Sequence, residues 1–166
     1  MVNSPLLIKY SAVIMDGFNF LITKRYIKIY AYVIMPDHIH FIAEGKDLSK
    51  HTSSFKSFTA RKIIDCLKAE NNISELTALQ KAKLAHKTDR DYQLWTEGFH
   101  PKQIFSDEVM KQKINYIHYN PVKAGLVSNE LDWKFSSAEF YKNGNCELPL
   151  TFFGDMSTPT HCIEAS

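Results

Sequence analysis

The chain has few cysteines, no long apolar run and little net charge, and each shortage narrows the class of protein to which it can belong. Its three cysteines are far apart in 166 residues and form no Cys-x-x-Cys pair, which argues against a disulfide scaffold and a cysteine-based zinc site. No stretch reaches the roughly 18 apolar residues of a membrane-spanning helix, and charged residues interrupt the apolar N-terminus, unlike a signal peptide. We therefore expect a cytoplasmic protein without a membrane anchor.

The composition is that of a folded domain. Hydrophobic residues make up 45% of the chain and aromatic residues 13%, which is enough for a sizeable core at this length. No internal repeat or low-complexity segment interrupts it. We expect one domain over residues 1–150 and a C-terminal tail over residues 151–166.

Charge is unevenly distributed, although the formal net charge is only +2. Residues 46–68 contain six basic and two acidic side chains, whereas residues 128–166 contain two basic and six acidic ones. The basic stretch predicts phosphate contacts by Lys56, Arg61 and Lys62, although a solvated helix face would show the same pattern. We predict core positions for its two phenylalanines, Phe55 and Phe58.

Two histidines, His38 and His40, stand two residues apart in an apolar, β-branched run. Side chains alternate along a strand, so both imidazoles should face one side while Ile39 and Phe41 face the other. Two neutral imidazoles leave open positions on a cation for oxygen ligands, which suits Mg²⁺, Mn²⁺ or Zn²⁺. A buried pair bonded to backbone carbonyls has the same spacing, so the two readings stay open at this point.

Residues 106–120 predict a helix that carries a tyrosine on a polar face. Ser106 is a typical N-cap, and Asn120 should end the helix because it precedes a proline. Tyr116 shares the polar face with Gln112, Lys113 and Asn120, away from an apolar stripe formed by Met110, Ile114 and Ile117. A tyrosine in such a place is usually an ordinary surface residue.

Four blocks of sequence resemble a known family in composition and order. They are AYVIMPDHIH at 31–40, WTEGF at 95–99, YIHYNPVKAGLV at 116–127 and WKFSSA at 133–138. Together they resemble the REP-associated tyrosine transposases, which are single-tyrosine HUH transposases; HUH denotes histidine, a hydrophobic residue and histidine. The resemblance extends over residues 28–141.

The resemblance implies a fold, an activity and a set of roles. The fold would be an α+β, ferredoxin-like sandwich, an antiparallel sheet with helices on one side. The activity would be cleavage and rejoining of single-stranded DNA that contains hairpins or repeated palindromes. His38 and His40 would bind Mg²⁺ or Mn²⁺ with Asn120 as third ligand, and Tyr116 would form a 5′-phosphotyrosine. Apart from the resemblance, the place of Lys113 on the polar face of Tyr116 makes it a candidate DNA contact and a cation that could favour the phenolate.

The pattern departs from this family at the start of the chain. The family opens with a strand, but residues 5–21 are apolar at helical spacing. We expect the first strand to be missing, supplied by a partner, or replaced by residues 17–23. An unpaired sheet edge would favour a homodimer over a monomer.

Two other functions stay open. One is a domesticated, non-catalytic protein that binds single-stranded nucleic acid. The other is a metal-dependent nucleotide hydrolase, against which Phe41 and Ile42 occupy the stretch where a third alternating histidine would stand.

The expected order of elements follows from the hydrophobic periodicity and the turn residues. It is a helix over 5–21, strands over 28–35 and 38–43, a basic helix over 49–67, a helical piece over 71–88, a short strand over 92–96 and the helix of Tyr116.

Overall fold

A computed structural model of the chain describes residues 5–83, 91–96, 102–154 and 162–165. It is an α+β fold with an antiparallel sheet, so the predicted class is confirmed. The elements in chain order are α1 (Leu6–Lys9), α2 (Ser11–Thr23), β1 (Lys28–Ile34), β2 (Ile39–Glu44), α3 (Leu48–Ala69), α4 (Ile73–Ala82), β3 (Lys102–Ile104), α5 (Asp107–Lys123), a 3-10 turn (Glu130–Asp132), α6 (Ala138–Asn143) and β4 (Cys162–Ala165).

The sheet has the order β1-β2-β4-β3, and every neighbouring pair is antiparallel. Its C-terminal strand, β4, lies in the interior of the sheet between β2 and β3. Among the described residues no strand precedes α1, and residues 17–23 belong to α2. The expectation that residues 17–23 form the missing strand is therefore wrong; a strand from the other end of the chain joins β2 to β3.

Helices cover both faces of the sheet, whereas the resemblance implied helices on one side. On one face, Ile39 and Phe41 of β2 pack with Phe18 of α2 and Phe55 of α3. On the other face, alternate residues of the same strands pack against α5; this cluster includes Ala31, Val33, Ile42, Met110, Ile114 and Ile117. The predicted apolar stripe of α5 is thus confirmed, and the helix lies on the face opposite α2 and α3.

The buried stripe of α3 runs through Phe55, Thr59, Ile63 and Leu67, at intervals of four residues. Phe55 is in the core as predicted and stacks on Phe18 with ring centroids 4.7 Å apart. The core assignment of Phe58 is wrong, because this ring lies about one helical step, roughly 100°, from the buried stripe and is 43% exposed.

The outer edge of β1 is covered by the segment that follows α5. The carbonyl oxygen of Tyr32 accepts a hydrogen bond from Ser137 N (3.0 Å), and that of Ile29 accepts one from Thr151 N (2.9 Å). An edge whose backbone groups are satisfied offers little template for another strand. This edge therefore gives no support to strand pairing between two copies.

Three expected boundaries differ in the structure. The helix over 5–21 is broken at Tyr10, whose hydroxyl donates to Glu70 Oε2 at the end of α3 (2.9 Å). Residues 92–96 are irregular rather than a strand. The helical piece over 71–88 is α4, Ile73–Ala82, and residues 84–88 lie outside the described residues. No helix in the described part of the chain is long and apolar enough to cross a membrane.

Candidate functional site

The two histidines meet at the end of the sheet where β1 turns into β2. His38 directly precedes β2, and His40 lies in it, opposite Val33 of β1. Their ring centroids are 4.8 Å apart and the ring planes are nearly perpendicular. The two imidazoles therefore lie on one side of the strand, as alternation predicts. His40 is buried, whereas His38 is about half exposed.

Asp37 orients the more exposed of the two rings. Its Oδ1 lies 2.6 Å from His38 Nδ1. An ionised carboxylate can only accept, so Nδ1 carries the hydrogen and donates it. This bond leaves Nε2 as the His38 nitrogen that can bind a metal, in the arrangement by which carboxylates commonly orient metal-binding histidines.

Helix α5 brings Tyr116 to the histidines. The helix begins as predicted at Ser106, whose hydroxyl accepts a hydrogen bond from Val109 N (3.3 Å). The buried stripe of α5 packs on the sheet face that carries His40. The adjoining polar face of the helix, which carries Tyr116, therefore lies at the end of the sheet that holds this histidine. The Tyr116 ring centroid is 6.1 Å from that of His40, and the tyrosine is 43% exposed. A buried imidazole and an accessible phenol therefore share one site.

Two lysines of α5 flank this phenol. The Nζ atoms of Lys113 and Lys123 lie 5.6 Å and 5.9 Å from the centroid of the Tyr116 ring. The sequence analysis names Lys113 as a DNA contact. It does not name Lys123, although this lysine lies seven residues after Tyr116 and so on the same helix face. Two ammonium groups beside the phenol suit the binding of a phosphate.

The predicted end of α5 at Asn120 is wrong, because the helix continues through Pro121 to Lys123. Proline lacks the N–H that would donate to the carbonyl oxygen of Ile117. The Asn120 side chain supplies a substitute: its Nδ2 donates to Tyr116 O (2.9 Å) and, at 3.5 Å, to Ile117 O. Asn120 thus stabilises the turn that carries Tyr116, and its Oδ1 is the atom left for a metal.

The donor set fits a metal site of two protein nitrogens. Imidazoles that share a cation hold it about 2.0–2.1 Å from each nitrogen, and ring centroids 4.8 Å apart are close enough for His38 and His40 to do so. No group of three His, Cys, Asp or Glu side chains suited to a metal occurs within the described ranges. Further ligands would therefore be oxygens, from Asn120 or from a bound phosphate.

The three basic residues predicted on α3 are divided between two places. Lys56 lines a small cavity of about 90 Å³ with Asp37, His38 and Trp95, and burial lowers the pKa of Lys56. Arg61 lines a separate groove on the outer side of α3, and Lys62 is exposed. Of these three residues, only Lys56 therefore shares a cavity with His38.

The second sequence block, residues 95–99, contributes to the cavity that Lys56 shares with His38. The indole N–H of Trp95 donates to Thr59 Oγ1 of α3 (3.0 Å), and Thr96 lines the same cavity. Residues 97–99 of this block lie outside the described residues.

The fourth block connects α5 to β1. His118 Nε2 is hydrogen-bonded to Ser137 Oγ (2.8 Å), which in turn accepts from Tyr32 N of β1 (2.9 Å). His118 is buried, and burial lowers its pKa to about 4, against an opposing effect of the Glu130 charge. It is therefore uncharged at neutral pH.

This histidine should make the protein less stable in acid. An unfolded histidine takes up its proton near pH 6.5, whereas folded His118 does so only near pH 4. Protonation thus favours the unfolded state between these values, and the free energy of unfolding should fall by up to about 3 kcal/mol as pH drops from 6.5 to 4.

Urea unfolding at several pH values would measure this loss in the wild type and in His118→Gln. The other histidines are common to both proteins, so the difference between the two curves isolates His118. Parallel curves would contradict the expected effect.

The chain matches no protein-family model. It is 26% identical over 123 residues to a Haemophilus influenzae protein provisionally named a REP-associated tyrosine transposase, a match that covers 71% of this chain and 61% of the relative. The chain thus spans about three fifths of that relative's length. It is also similar to a solved structure of a REP-associated tyrosine transposase bound to a REP hairpin: the TM-score is 0.62 and the identity 20%, over 97% of this chain and 86% of the other. Both comparisons lead to the family that the four sequence blocks resemble, and the structural one shows a shared fold.

Proposed function

We propose that this chain is a REP-associated tyrosine transposase, which binds hairpin-containing single-stranded DNA and cleaves and rejoins it through Tyr116. The observation that carries the proposal is the placement of an accessible phenol 6.1 Å from His40, beside a second imidazole and two lysines.

In the proposed reaction, the Tyr116 oxygen attacks the phosphorus of one phosphodiester. The new bond joins this oxygen to phosphorus, and the bond from phosphorus to the 3′-oxygen breaks. The phenol loses its proton, and the departing 3′-oxygen takes one up. The products are a 5′-phosphotyrosine and a free 3′-hydroxyl, so the reverse attack by a 3′-hydroxyl rejoins strands without a nucleotide cofactor.

The side chains around Tyr116 would bind and orient the phosphate. Lys113 and Lys123 would attract it to the phenol, and Lys56 would approach from α3 on the side of His38. Asn120 would hold the turn of α5 that aims the phenol. His38 and His40, with Asn120, would hold a divalent cation, Mg²⁺ or Mn²⁺, which when bound neutralises charge on the phosphate oxygens.

We further propose cytoplasmic DNA as the substrate and leave both a monomer and a homodimer as candidate assemblies. Strand pairing through β1 does not favour the homodimer, since that edge is covered.

A covalent-adduct assay tests the proposed activity. The purified protein is incubated with Mn²⁺ and a DNA hairpin taken from palindromes that flank its gene, labelled at either end. Attack at the 5′-phosphate should transfer a 3′-end label to the protein on a denaturing gel and release a 5′-end label in a shorter oligonucleotide. Hairpin binding without any adduct would reject the transposase and favour the non-catalytic binder.

Hairpin affinity should depend on salt through the basic residues of α3. Each phosphate contact contributes about 0.7 to the slope of log affinity against log salt for single strands and about 0.9 for duplex. Replacing Lys56, Arg61 and Lys62 by glutamine should therefore lower the slope by roughly 2.

The structure refines this prediction: Lys56→Gln alone should also slow adduct formation at saturating DNA, because only Lys56 lies beside His38. An unchanged slope in the triple variant would mean that α3 presents only a solvated face. Anisotropy titrations at four salt concentrations measure the slope of log affinity against log salt. Lys81→Gln on α4 is the charge-matched control.

A further inference from the structure

A cavity of about 630 Å³ opens on α5 beside the face that carries Tyr116. Helix α5 contributes Asn115 and Tyr119 to its walls, the 3-10 turn and its N-cap contribute Asn129 and Glu130, and α6 contributes Tyr141 and Lys142. The proposed cleavage reaction uses none of these side chains.

The cavity offers two aromatic rings that differ in exposure. Tyr119 is 55% exposed, so its ring face is available to a ligand. Tyr141 is partly buried, and its hydroxyl donates to the carbonyl oxygen of Tyr30 in β1 (3.0 Å). Tyr141 thus forms a wall fixed to the sheet, and Tyr119 forms a wall with an exposed ring.

The polar groups of the cavity balance one another in charge. Lys142 and Glu130, the two charged side chains among the lining residues, are opposite in sign. The Asn115 amide carries both donors and an acceptor. The Asn129 oxygen already accepts a hydrogen bond from Leu131 N (2.9 Å), so this amide offers its N–H donors to a ligand. A cavity of rings, amides and no net charge suits a flat, uncharged heterocycle better than a free phosphate or a cation.

The position of the cavity relates it to the nucleophile. Tyr119 follows Tyr116 by three residues, which places it about 4.5 Å further along the helix axis and roughly 60° around it. DNA whose phosphate lies at Tyr116 would therefore run past the mouth of the cavity. Nucleobases outside a duplex are commonly bound by stacking on aromatic side chains while amides read their edges.

We propose that this cavity holds one unpaired nucleobase of the DNA strand next to the cleaved phosphate, stacked on Tyr119 with its edge on Asn115 and Asn129. The inference rests on the proposed function and extends it from the reacting phosphate to a neighbouring base.

The test compares two DNAs, a hairpin with a single-stranded flank and the same hairpin with a blunt end. Stacking on an aromatic side chain contributes about 1–3 kcal/mol per base, so Tyr119→Ala should weaken binding of the flanked hairpin at least about fivefold. Tyr119→Phe keeps the ring and should restore most of this affinity. Neither change should affect the blunt hairpin. Phe20→Ala, which removes a similarly exposed ring from α2, is the matched control.

The outcomes separate the two proposals. A wild type that binds neither hairpin overturns the proposed function. A wild type that prefers the flanked hairpin, with the same preference in Tyr119→Ala, overturns the base-binding cavity alone. A third experiment adds a mixture of the four deoxynucleoside monophosphates at 1 mM, which should not displace the flanked hairpin. Displacement that occurs in the wild type and is abolished in Tyr119→Ala would identify a site for free nucleotides instead and overturn the proposal.

Discussion

Tyr116→Phe should abolish the protein–DNA adduct while leaving folding, metal binding and hairpin affinity intact. The change removes one oxygen, and that oxygen is the proposed nucleophile, whereas the ring that lies beside His40 and the two lysines is kept. We expect no adduct above background on a denaturing gel with a 3′-labelled hairpin, and unchanged dissociation constants in anisotropy titrations.

Tyr26→Phe is the matched control for this experiment. Tyr26 is 42% exposed, close to the 43% of Tyr116, but it lies at the other end of the β1–β2 pair, where its ring stacks on His51. It should form the adduct at the wild-type rate. Fragmentation of the tryptic peptide 114–123 should locate the attached nucleotide on Tyr116; a nucleotide on Tyr119 would show that the register of the motif is misassigned.

Replacing His38 and His40 together by alanine should eliminate cation-dependent cleavage. The two imidazoles are the nitrogen donors of the proposed metal site, and no cluster of three acidic, histidine or cysteine side chains stands in for them elsewhere in the described ranges. We expect Mn²⁺ binding by calorimetry to be lost and adduct formation to fall to the level seen with a chelator.

Because His40 is buried, the double variant must be checked for folding by circular dichroism. His38→Ala, at a half-exposed position, provides a second test with little risk to the core and should weaken Mn²⁺ binding by itself. His51→Ala controls for adventitious binding to histidine. Full-strength Mn²⁺ binding in the double variant would exclude this pair as the metal site.

The local features of the site were determined by sequence. Alternation along a strand places His38 and His40 together, and helical spacing groups Lys113, Tyr116 and Asn120 on one face, because both periods are properties of the backbone. The same rules gave the buried stripe of α5 and the N-cap at Ser106. Helical spacing also puts Lys123, two turns after Tyr116, on the same helix face.

Simple sequence rules failed at two places, one for a local reason and one for a distant reason. Pro121 predicts the end of a helix, but the neighbouring Asn120 amide donates to the carbonyl oxygens of Tyr116 and Ile117, and α5 continues to Lys123. The basic pattern of α3 does not distinguish Lys56 from Arg61, because only the packing of α3 against the strand end of His38 separates them.

The arrangement of the sheet was decided by tertiary structure alone. The placement of β4 between β2 and β3 depends on pairing of β4 with residues 41–43 of β2 and residues 102–104 of β3, both far from β4 along the chain, and no periodicity within a window of sequence records it. The choice of sheet face for α5 is of the same kind. Local rules group His38 with His40 and put Tyr116 on a polar helix face; the packing of α5 on the His40 face, opposite α2 and α3, places the Tyr116 ring centroid 6.1 Å from that of His40. Apolar surface can be buried on either side of a sheet, and only the whole core determines which side.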